Sequence, residues 1–469
     1  MHHALKQSAD LPPIYERDGH ESPYCEPKSS RYPTPNLDAS PALAPIMAFR
    51  DHLAGAHEHN EQVSCVHDFF DLSCNQNHSL IVFNDVLEAV GHRAAMNVLS
   101  RDRLCARLGM SPGQVVDLLG RGMSTRSEPQ LISANEAPVL QSGQEEPDLH
   151  GLPIPWHYRE DRGRYMSASI VIAEWDGRRN VSFHRQFLRD ANHVVARLVP
   201  RHLRTMVDEA RANGETVNIA IVNGCDPVVL LAAAMSFDEP IDEMTVAASL
   251  HEAVYGTPLQ VVTLPNGIAV PADAEYAMTA TITLEDDDEG PYVDITGTLD
   301  EVRQEPVFEI HTVHHRTDPI FHALIPAESE HKALMGLPRA PTVKSAVAAV
   351  CECHDVHMTD GGCGWLAAVV SITPQNEGDG RRAIEAALAG HRSMKMVTIV
   401  DSDIDVGDAE RVEWAMMTRW QPDVDTVILT GQKGSSLDPT RAADGTTSKV
   451  GFDATMPPGC NRAPFTSVR

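Results

Sequence analysis

The chain has 469 residues, too many for one compact core, so two to four domains of roughly 100–200 residues are expected. Lys plus Arg is 38 against 66 for Asp plus Glu, a net charge of −28, and such a surface repels phosphate backbones and anionic membranes, which argues against nucleic acid as the main partner. The hydrophobic fraction of 42% can fill a sizeable core, yet no window reaches ~18 consecutive apolar residues, so no transmembrane helix is expected.

Only seven of the 38 basic residues are Lys, which fits a salt-adapted cytoplasm and equally a GC-rich genome. The N-terminus lacks the apolar run of a secretory signal. Nine Cys is an odd number, and their spacing does not resemble a disulfide framework. Cys225 and Cys363 sit in apolar, Gly-containing surroundings and are expected in the core. Reduced thiols and a cytoplasmic location fit best.

In chain order, residues 1–46 are rich in Pro, Ser and His without a period, and are expected to be a disordered extension. Met47 opens a more regular stretch and is a candidate translation start. Residues 47–128 alternate in texture, with a buried strand expected at 79–83 and a helix at 101–108, a small α/β unit. The polar stretch 129–150 is expected as a linker or loop. Residues 151–325 are dominated by short strands, expected at 167–173, 217–222, 259–264 and 277–284, with helices at 201–213 and 244–254 between them. This pattern suits a β-barrel or sandwich with inserted helices. The segment 326–469 is assigned to a second α/β domain, whose βαβ texture is clear from about Ala340. Strands are expected at 367–372, 396–400 and 426–429, and helices at 380–390 and 409–419. The fold class is therefore α+β.

Three segments of the middle domain carry candidate chemistry. Asn180-Val181-Ser182-Phe183-His184-Arg185 follows a turn at Asp176-Gly177 and reads as a hairpin strand. Asn180, Ser182 and His184 then share one face, and Val181, Phe183 and Arg185 the other. A carboxamide oxygen can ligate a hard cation, and an Arg is a natural fork for a carboxylate or phosphate. The alternative is a surface strand with a solvated Arg. Pro240-Ile241-Asp242-Glu243-Met244 marks a helix N-terminus, where acids compensate the helix dipole without any metal. In Glu285-Asp286-Asp287-Asp288-Glu289-Gly290-Pro291-Tyr292-Val293-Asp294, five consecutive acids repel one another, and solvation is the default. A Gly-Pro turn separates Glu289 from Asp294 and could bring both carboxyls into one pocket, where repulsion and desolvation make a proton donor. The alternative is an acidic surface loop.

Together these segments resemble the UbiD family of carboxy-lyases. Phe49-Arg50-Asp51-His52-Leu53 resembles its opening helix, and Gly163-Arg164-Tyr165-Met166-Ser167 the stretch ahead of its metal-ligand strand. Glu289-Gly290-Pro291-Tyr292 followed by Asp294 resembles its EGPF-x-[ED] signature, with Tyr where many relatives have Phe. Gly361-Gly362-Cys363-Gly364-Trp365 and Thr447-Ser448-Lys449-Val450-Gly451-Phe452-Asp453-Ala454-Thr455 resemble its C-terminal signatures. Five pieces in the right order, spanning roughly 47–456, make the resemblance specific.

The resemblance implies an N-terminal α/β unit, a central flavin-binding split β-barrel and a C-terminal α/β domain. It implies prenylated FMN and a divalent metal, Mn2+, with room for K+. Asn180 and Glu243 are then the metal ligands. Phe183, His184 and Arg185, and Arg197, Leu198 and Val199, are cofactor-contacting, and Arg201 and His202 match a further contact site. Arg185, Glu289 and Asp294 are the implied catalytic trio. Decarboxylation leaves electrons that no side chain can accept, and a modified flavin supplies the sink. Arg185 would orient the carboxylate, Asp294 would protonate the new C–H, and Glu289 would tune both.

The implied reaction is non-oxidative removal of CO2 from an unsaturated acid. Val199-Pro200-Arg201-His202-Leu203, Asp294 and Gly434-Ser435-Ser436-Leu437-Asp438-Pro439 resemble the archaeal branch, which points to trans-anhydromevalonate 5-phosphate, isopentenyl phosphate and isoprenoid biosynthesis by a mevalonate route. A 4-hydroxybenzoate-type acid in quinone synthesis is the alternative, and a non-catalytic flavin-binding paralogue a second. The family also implies a flavin prenyltransferase as cofactor supplier and a homo-oligomer. Two other features are read as structural. Cys351-x-Cys353-His354-x-x-His357 is too irregular for zinc, and Gly431-Gln432-Lys433-Gly434 lacks the spacing of a phosphate loop.

Overall fold

The run expected at 79–83 forms the strand Ile81–Phe83, buried on both faces. It pairs parallel with His57–His59 and antiparallel with Arg93–Met96. The computed structural model describes residues 49–466, so the extension at 1–46 and the candidate start at Met47 lie outside the described residues. A fourth strand, Ile320–His322, returns from far downstream and runs parallel to Arg93–Met96. The helix expected at 101–108 is Arg101–Leu108, held by Ser100, whose side chain accepts the Arg103 N–H, and ended by Gly109 at φ 62°.

The middle of the chain builds one large sheet. Its hydrogen-bonded order is Tyr165–Met166, Gln186–Leu188, His193–Ala196, Arg303–His315, Tyr276–Glu289, Val217–Asn223, Ile170–Trp175 and Arg178–Phe183. The path is open at Tyr165–Met166 and Arg178–Phe183, so the expected barrel is corrected to an open sheet. Alternation of apolar residues cannot reveal this, because closure depends on pairing between edge strands. Residues 129–150, expected as a linker or loop, supply two short strands. Gln130–Leu131 pairs with Gln260–Thr263, and Ser142–Gln144 pairs with Arg303–His315.

The near-continuous apolar runs of this sheet follow from burial on both sides. Ile170, Ile172, Ala220 and Val222 face one core, shared with the helices Pro227–Ala233 and Glu243–Tyr255. Val171, Ala173, Ile219 and Ile221 face the other, shared with Phe69, Phe83 and the helix His202–Ala212. The third layer is a sheet in the order Glu352–Met358, Ala367–Thr373, Met396–Asp401, Thr446–Ala454 and Thr426–Lys433. The helices Asp379–Gly390 and Ala409–Arg419 pack against it, close to their expected limits. Among the described residues no helix is long and apolar enough to cross a membrane.

Eight cysteines are described and none is paired. Cys225 is fully buried, as expected. Cys363 is not a core residue: it is half-buried at φ 60° in the tight Gly361–Trp365 turn. Gly364 follows at φ 62°, and a Cβ there would lie 2.5 Å from the Lys332 carbonyl oxygen. This close approach seats the helix Ser329–Gly336 on the turn. Gly364→Ala is therefore expected to cost roughly 1–3 kcal/mol, from the strained φ plus a backbone clash. A thermal melt checks this, and an unchanged Tm would show that the contact is slack.

Candidate active site

Arg185 stands just past the strand Arg178–Phe183, where the chain turns into Gln186–Leu188. Its side chain is 8% exposed, so its charge needs partners. Glu289, completely buried, grips it with both oxygens: Nε donates to Oε1 at 2.9 Å and Nη2 to Oε2 at 2.7 Å. Nη1 donates to Asp294, and Nη2 also donates to Asp300 at 2.9 Å. The guanidinium lies 4.7 Å over the Tyr292 ring. Burial works against the charge, but Glu289, then Asp294 and Asp300, outweigh it and hold the pKa of Arg185 well above its ordinary value. The expected trio Arg185, Glu289 and Asp294 thus meets in one place.

Strand geometry explains the convergence. The acidic run is the end of the long strand Tyr276–Glu289, not a loop. Glu285 and Asp286 remain exposed and meet Arg189 and Arg211, as solvation of like charges requires. Glu289 alone turns inward. Gly290 follows at φ 89°, where a Cβ would stand 2.8 Å from the Glu301 carbonyl oxygen. The chain then pairs Tyr292–Val293 with Leu299–Asp300 across a turn in which the Gly297 N–H donates to the Asp294 carbonyl at 2.8 Å. That hairpin delivers Asp294 and Asp300 to the same guanidinium.

Sequence reasoning missed Asp300 and Asp161. Asp300 also binds Arg303 at 2.7 Å, and although burial opposes ionisation, Arg303 and Arg185 keep its pKa below the ordinary carboxylate range. The Leu299–Asp300 pairing with Tyr292–Val293 is the only signal that placed it, and pairing of two-residue strands has no sequence signature. Asp161 accepts the Val293 N–H at 2.7 Å, and burial pushes its carboxyl up to about 7.

A second cluster is built on the strand Arg178–Phe183 itself. Asn180 Nδ2 donates to Glu243 Oε1 at 3.1 Å, and the Val181 N–H donates to Oε2 at 2.7 Å. Glu243 is the first residue of the helix Glu243–Tyr255, whose cap is Asp242, so the dipole role falls to Asp242 and leaves Glu243 free to turn inward. Burial pushes the Glu243 carboxyl up to about 8, against these hydrogen bonds. His184 donates from Nδ1 to the Arg197 carbonyl at 2.9 Å, and burial brings its pKa down to about 4, so the ring is neutral and Nε2 is bare. Ser182 Oγ is 2.9 Å from that nitrogen and 2.7 Å from Asn180 Oδ1. Ser182 Oγ donates its single proton to Asn180 Oδ1, and the carboxamide oxygen keeps a second lone pair beside the Glu243 carboxyl. An amide oxygen and a buried carboxylate without a cation fit a hard divalent ion whose remaining positions are filled by ligand oxygens. Among the described residues no cluster of three or more His, Cys, Asp or Glu could hold a metal, including the segment around Cys351 and His357.

The other expected contact residues line this region unequally. Phe183 is half-buried. Arg197 pairs with Glu305, whose second oxygen accepts the Leu198 N–H at 3.2 Å. Leu198 is buried, while Val199 is 37% exposed and free to meet a ligand. Arg201 donates to Ser236 Oγ, and His202 Nε2 lies 3.4 Å from the Asp238 carbonyl. Arg201 and His202 therefore reach the loop that leads to Glu243.

Two family models match the chain: UbiD, the 3-octaprenyl-4-hydroxybenzoate carboxy-lyase Rift-related domain, over residues 130–329, and the C-terminal domain of the same carboxy-lyase over residues 332–454. A Methanosarcina mazei protein named anhydromevalonate phosphate decarboxylase is 40% identical over 417 residues, 87% of this chain and 96% of that protein. A protein of the same name from Methanothermobacter thermautotrophicus is 44% identical over 314 residues, 66% of this chain and 73% of that protein. The UbiD-class enzyme HmfF from Pelotomaculum thermopropionicum, solved in complex with FMN, matches with a TM-score of 0.85 at 29% identity, over 90% of this chain and 97% of that one.

Glu289→Ala would leave the buried Arg185 without its two-point partner. Breaking a buried pair costs roughly 3–5 kcal/mol, and the remaining Asp294 and Asp300 place the expected loss at the lower end. Urea denaturation of the purified variant measures it, and a loss under ~1 kcal/mol would mean that the pair is not structurally committed.

Proposed function

The chain belongs to the UbiD family of carboxy-lyases, and from that membership we propose that it decarboxylates trans-anhydromevalonate 5-phosphate to isopentenyl phosphate, using prenylated FMN and a divalent metal. The observation that carries this reading is the buried Arg185 fork between Glu289 and Asp294, in a chain 40% identical to an archaeal anhydromevalonate phosphate decarboxylase. The matching family description, a carboxy-lyase of 3-octaprenyl-4-hydroxybenzoate, favours an aromatic acid as the second reading.

Arg185 has five N–H donors, and four are engaged by its three carboxylates. A substrate carboxylate takes the fifth and displaces the partner that yields most readily. That partner is Asp294, whose side chain is 16% exposed against none for Glu289. Glu289 keeps the guanidinium plane fixed while Asp294, once released from the fork, takes a proton from solvent and delivers it to the carbon that loses CO2. Asn180 and Glu243 would hold the divalent ion, Mn2+ in this reading with K+ as a further ion, and the ion would offset the negative charge of the cofactor. Phe183, His184, Arg197, Leu198, Val199, Arg201 and His202 border the cofactor. Prenylated FMN, when bound, supplies the electron sink. A flavin prenyltransferase is the required supplier, and a cytoplasmic homo-oligomer is the working form.

Holoprotein should release CO2 from the phosphorylated acid and not from 4-hydroxybenzoate. Release from the aromatic acid alone would reverse the two readings, and inactivity on both would reject them. Asp294→Asn should retain flavin and metal while turnover falls by roughly 10²–10⁴, the range of a general acid. Glu243→Ala should lose metal and flavin together, read by elemental analysis and absorbance. Full activity of the first variant would move the acid to Glu289, and normal metal content in the second would return Glu243 to a helix-start role. Light scattering should give a mass above the 51.2 kDa of one chain, and a monomer at micromolar concentration contradicts the assembly.

A further inference from the structure

Three guanidinium groups largely shielded from solvent in this acidic chain have carboxylate partners. Arg185 has Glu289, Arg197 has Glu305, and Arg419 has Asp401 and Asp403. Arg339 does not. It lies just past the helix Ser329–Gly336, is 6% exposed, and makes no ion pair among the described residues. One Nη2–H donates to the Ala234 carbonyl at 3.2 Å, but its Nε–H is buried without an acceptor. The guanidinium lies 4.9 Å over the ring of Trp365, whose own buried Nε1–H also lacks an acceptor. Two adjacent buried donors without partners point to an acceptor that arrives with a ligand.

Other cationic groups share this space. Arg201 binds Ser236 Oγ, two residues along from the Ala234 that receives Arg339. His391 packs edge-on against Trp365 at 4.6 Å, with Nε2 on the Trp365 carbonyl at 3.1 Å. Lys449 is 5% exposed and donates to the Arg392 carbonyl at 2.6 Å, with no carboxylate partner among the described residues. Burial, then repulsion from Arg201, brings Arg339 down to about 9. Burial, then Arg339, brings His391 down to about 3, so its ring is neutral and adds no charge. Of the acids nearby, Asp238 offsets Arg201, and Asp438 is occupied by Lys395. Since a guanidinium keeps its proton, the repulsion between Arg339 and Arg201 is relieved by an anion rather than by deprotonation. Two guanidinium groups, an indole N–H and a Lys behind them suit a ligand with two negative charges and several acceptor oxygens, which a single carboxylate lacks.

We propose that Arg339, Arg201 and the Trp365 indole form a binding site for a phosphate monoester, at the seam between the central sheet and the C-terminal sheet. Arg201 brings it next to the stretch beginning at Arg197, and Ser236 next to the loop that ends at Glu243. The phosphate has two sources. One is flavin mononucleotide. The other is the acid substrate itself, and that source rests on the function proposed above.

Three measurements on wild type and Arg339→Met test the site. Millimolar inorganic phosphate should raise the Tm of wild-type apoprotein, and Arg339→Met should abolish that rise. Loss of charged hydrogen bonds predicts binding weaker by roughly 10- to 100-fold. If the site takes the cofactor, Arg339→Met weakens FMN by this factor, read by flavin fluorescence, and leaves riboflavin unchanged. If it takes the substrate, FMN affinity is unchanged and the KM of the phosphorylated acid rises by the same factor. Arg339→Lys, which keeps the charge and loses the fork, should fall between. If Arg339→Met does not fold, Trp365→Phe keeps the ring, removes the N–H and should weaken the same ligand by several-fold. The proposal is overturned if phosphate, FMN and acid all bind a folded variant within twofold of wild type. Failure of decarboxylation with the phosphate and FMN effects intact overturns only the substrate reading.

Discussion

A guanidinium held in the interior by three carboxylates is the constraint on which the rest of the site depends. Arg185 is nearly enclosed, and its charge is tolerable only while Glu289, Asp294 and Asp300 stay within hydrogen-bond reach. Those residues come from a strand end, a turn and a short returning strand. Moving any of these elements would strand the charge, so the site and the local fold are one problem in electrostatics. One cation against three carboxylates also leaves the cluster with an excess of negative charge. In the proposed reaction a substrate carboxylate would add to it, which would favour the loss of one protein carboxylate from the fork or its protonation. Asp294 is best placed for both, because it makes a single contact with the guanidinium and retains some access to solvent.

The net charge of −28 says little about where the functional charges sit. Glu285 and Asp286 behave as the composition predicts, facing water and meeting Arg189 and Arg211. Glu289, at the end of the same run, is the opposite case. It is fully buried at the end of the strand, and the chain supplies a guanidinium to meet it. The Arg339 cluster inverts this logic, since cations are buried there in a chain that has acids to spare.

Much of this was legible in the residues. The faces of the strand through Asn180, Ser182 and His184 follow from period two, and the hydrogen bonds of those three side chains lie on one side as that period requires. The helices Arg101–Leu108 and Ala409–Arg419 carry capping residues that announce them, Ser100 and Asp408. Asp300 was invisible because it enters through two-residue strands whose pairing depends on a turn and not on a pattern. Arg339 was invisible for a different reason. Its significance is that no carboxylate meets it among the described residues, and sequence shows which residues exist but not which ones meet. The open path of the central sheet belongs to the same class, since edge pairing is a long-range property.

The opening segment Phe49–Leu53 illustrates how a motif can be diagnostic without touching the chemistry. Arg50 donates from Nε and Nη2 to the two oxygens of Glu275, at 2.7 and 2.9 Å. Glu275 is fully buried, and it also accepts the Ile320 N–H at 3.0 Å. One carboxylate therefore ties the first described residues to the start of the strand Tyr276–Glu289 and to the strand Ile320–His322, which completes the N-terminal sheet. A Cβ at Gly224 would lie 2.8 Å from the Glu275 side chain, so the neighbouring turn must stay bare at that point. The far end of the same strand carries Glu289. The strand that ends in Glu289 is thus anchored at its other end by a second Arg–Glu pair whose carboxylate is fully buried, and both ends are fixed against charges that the protein cannot leave unpaired.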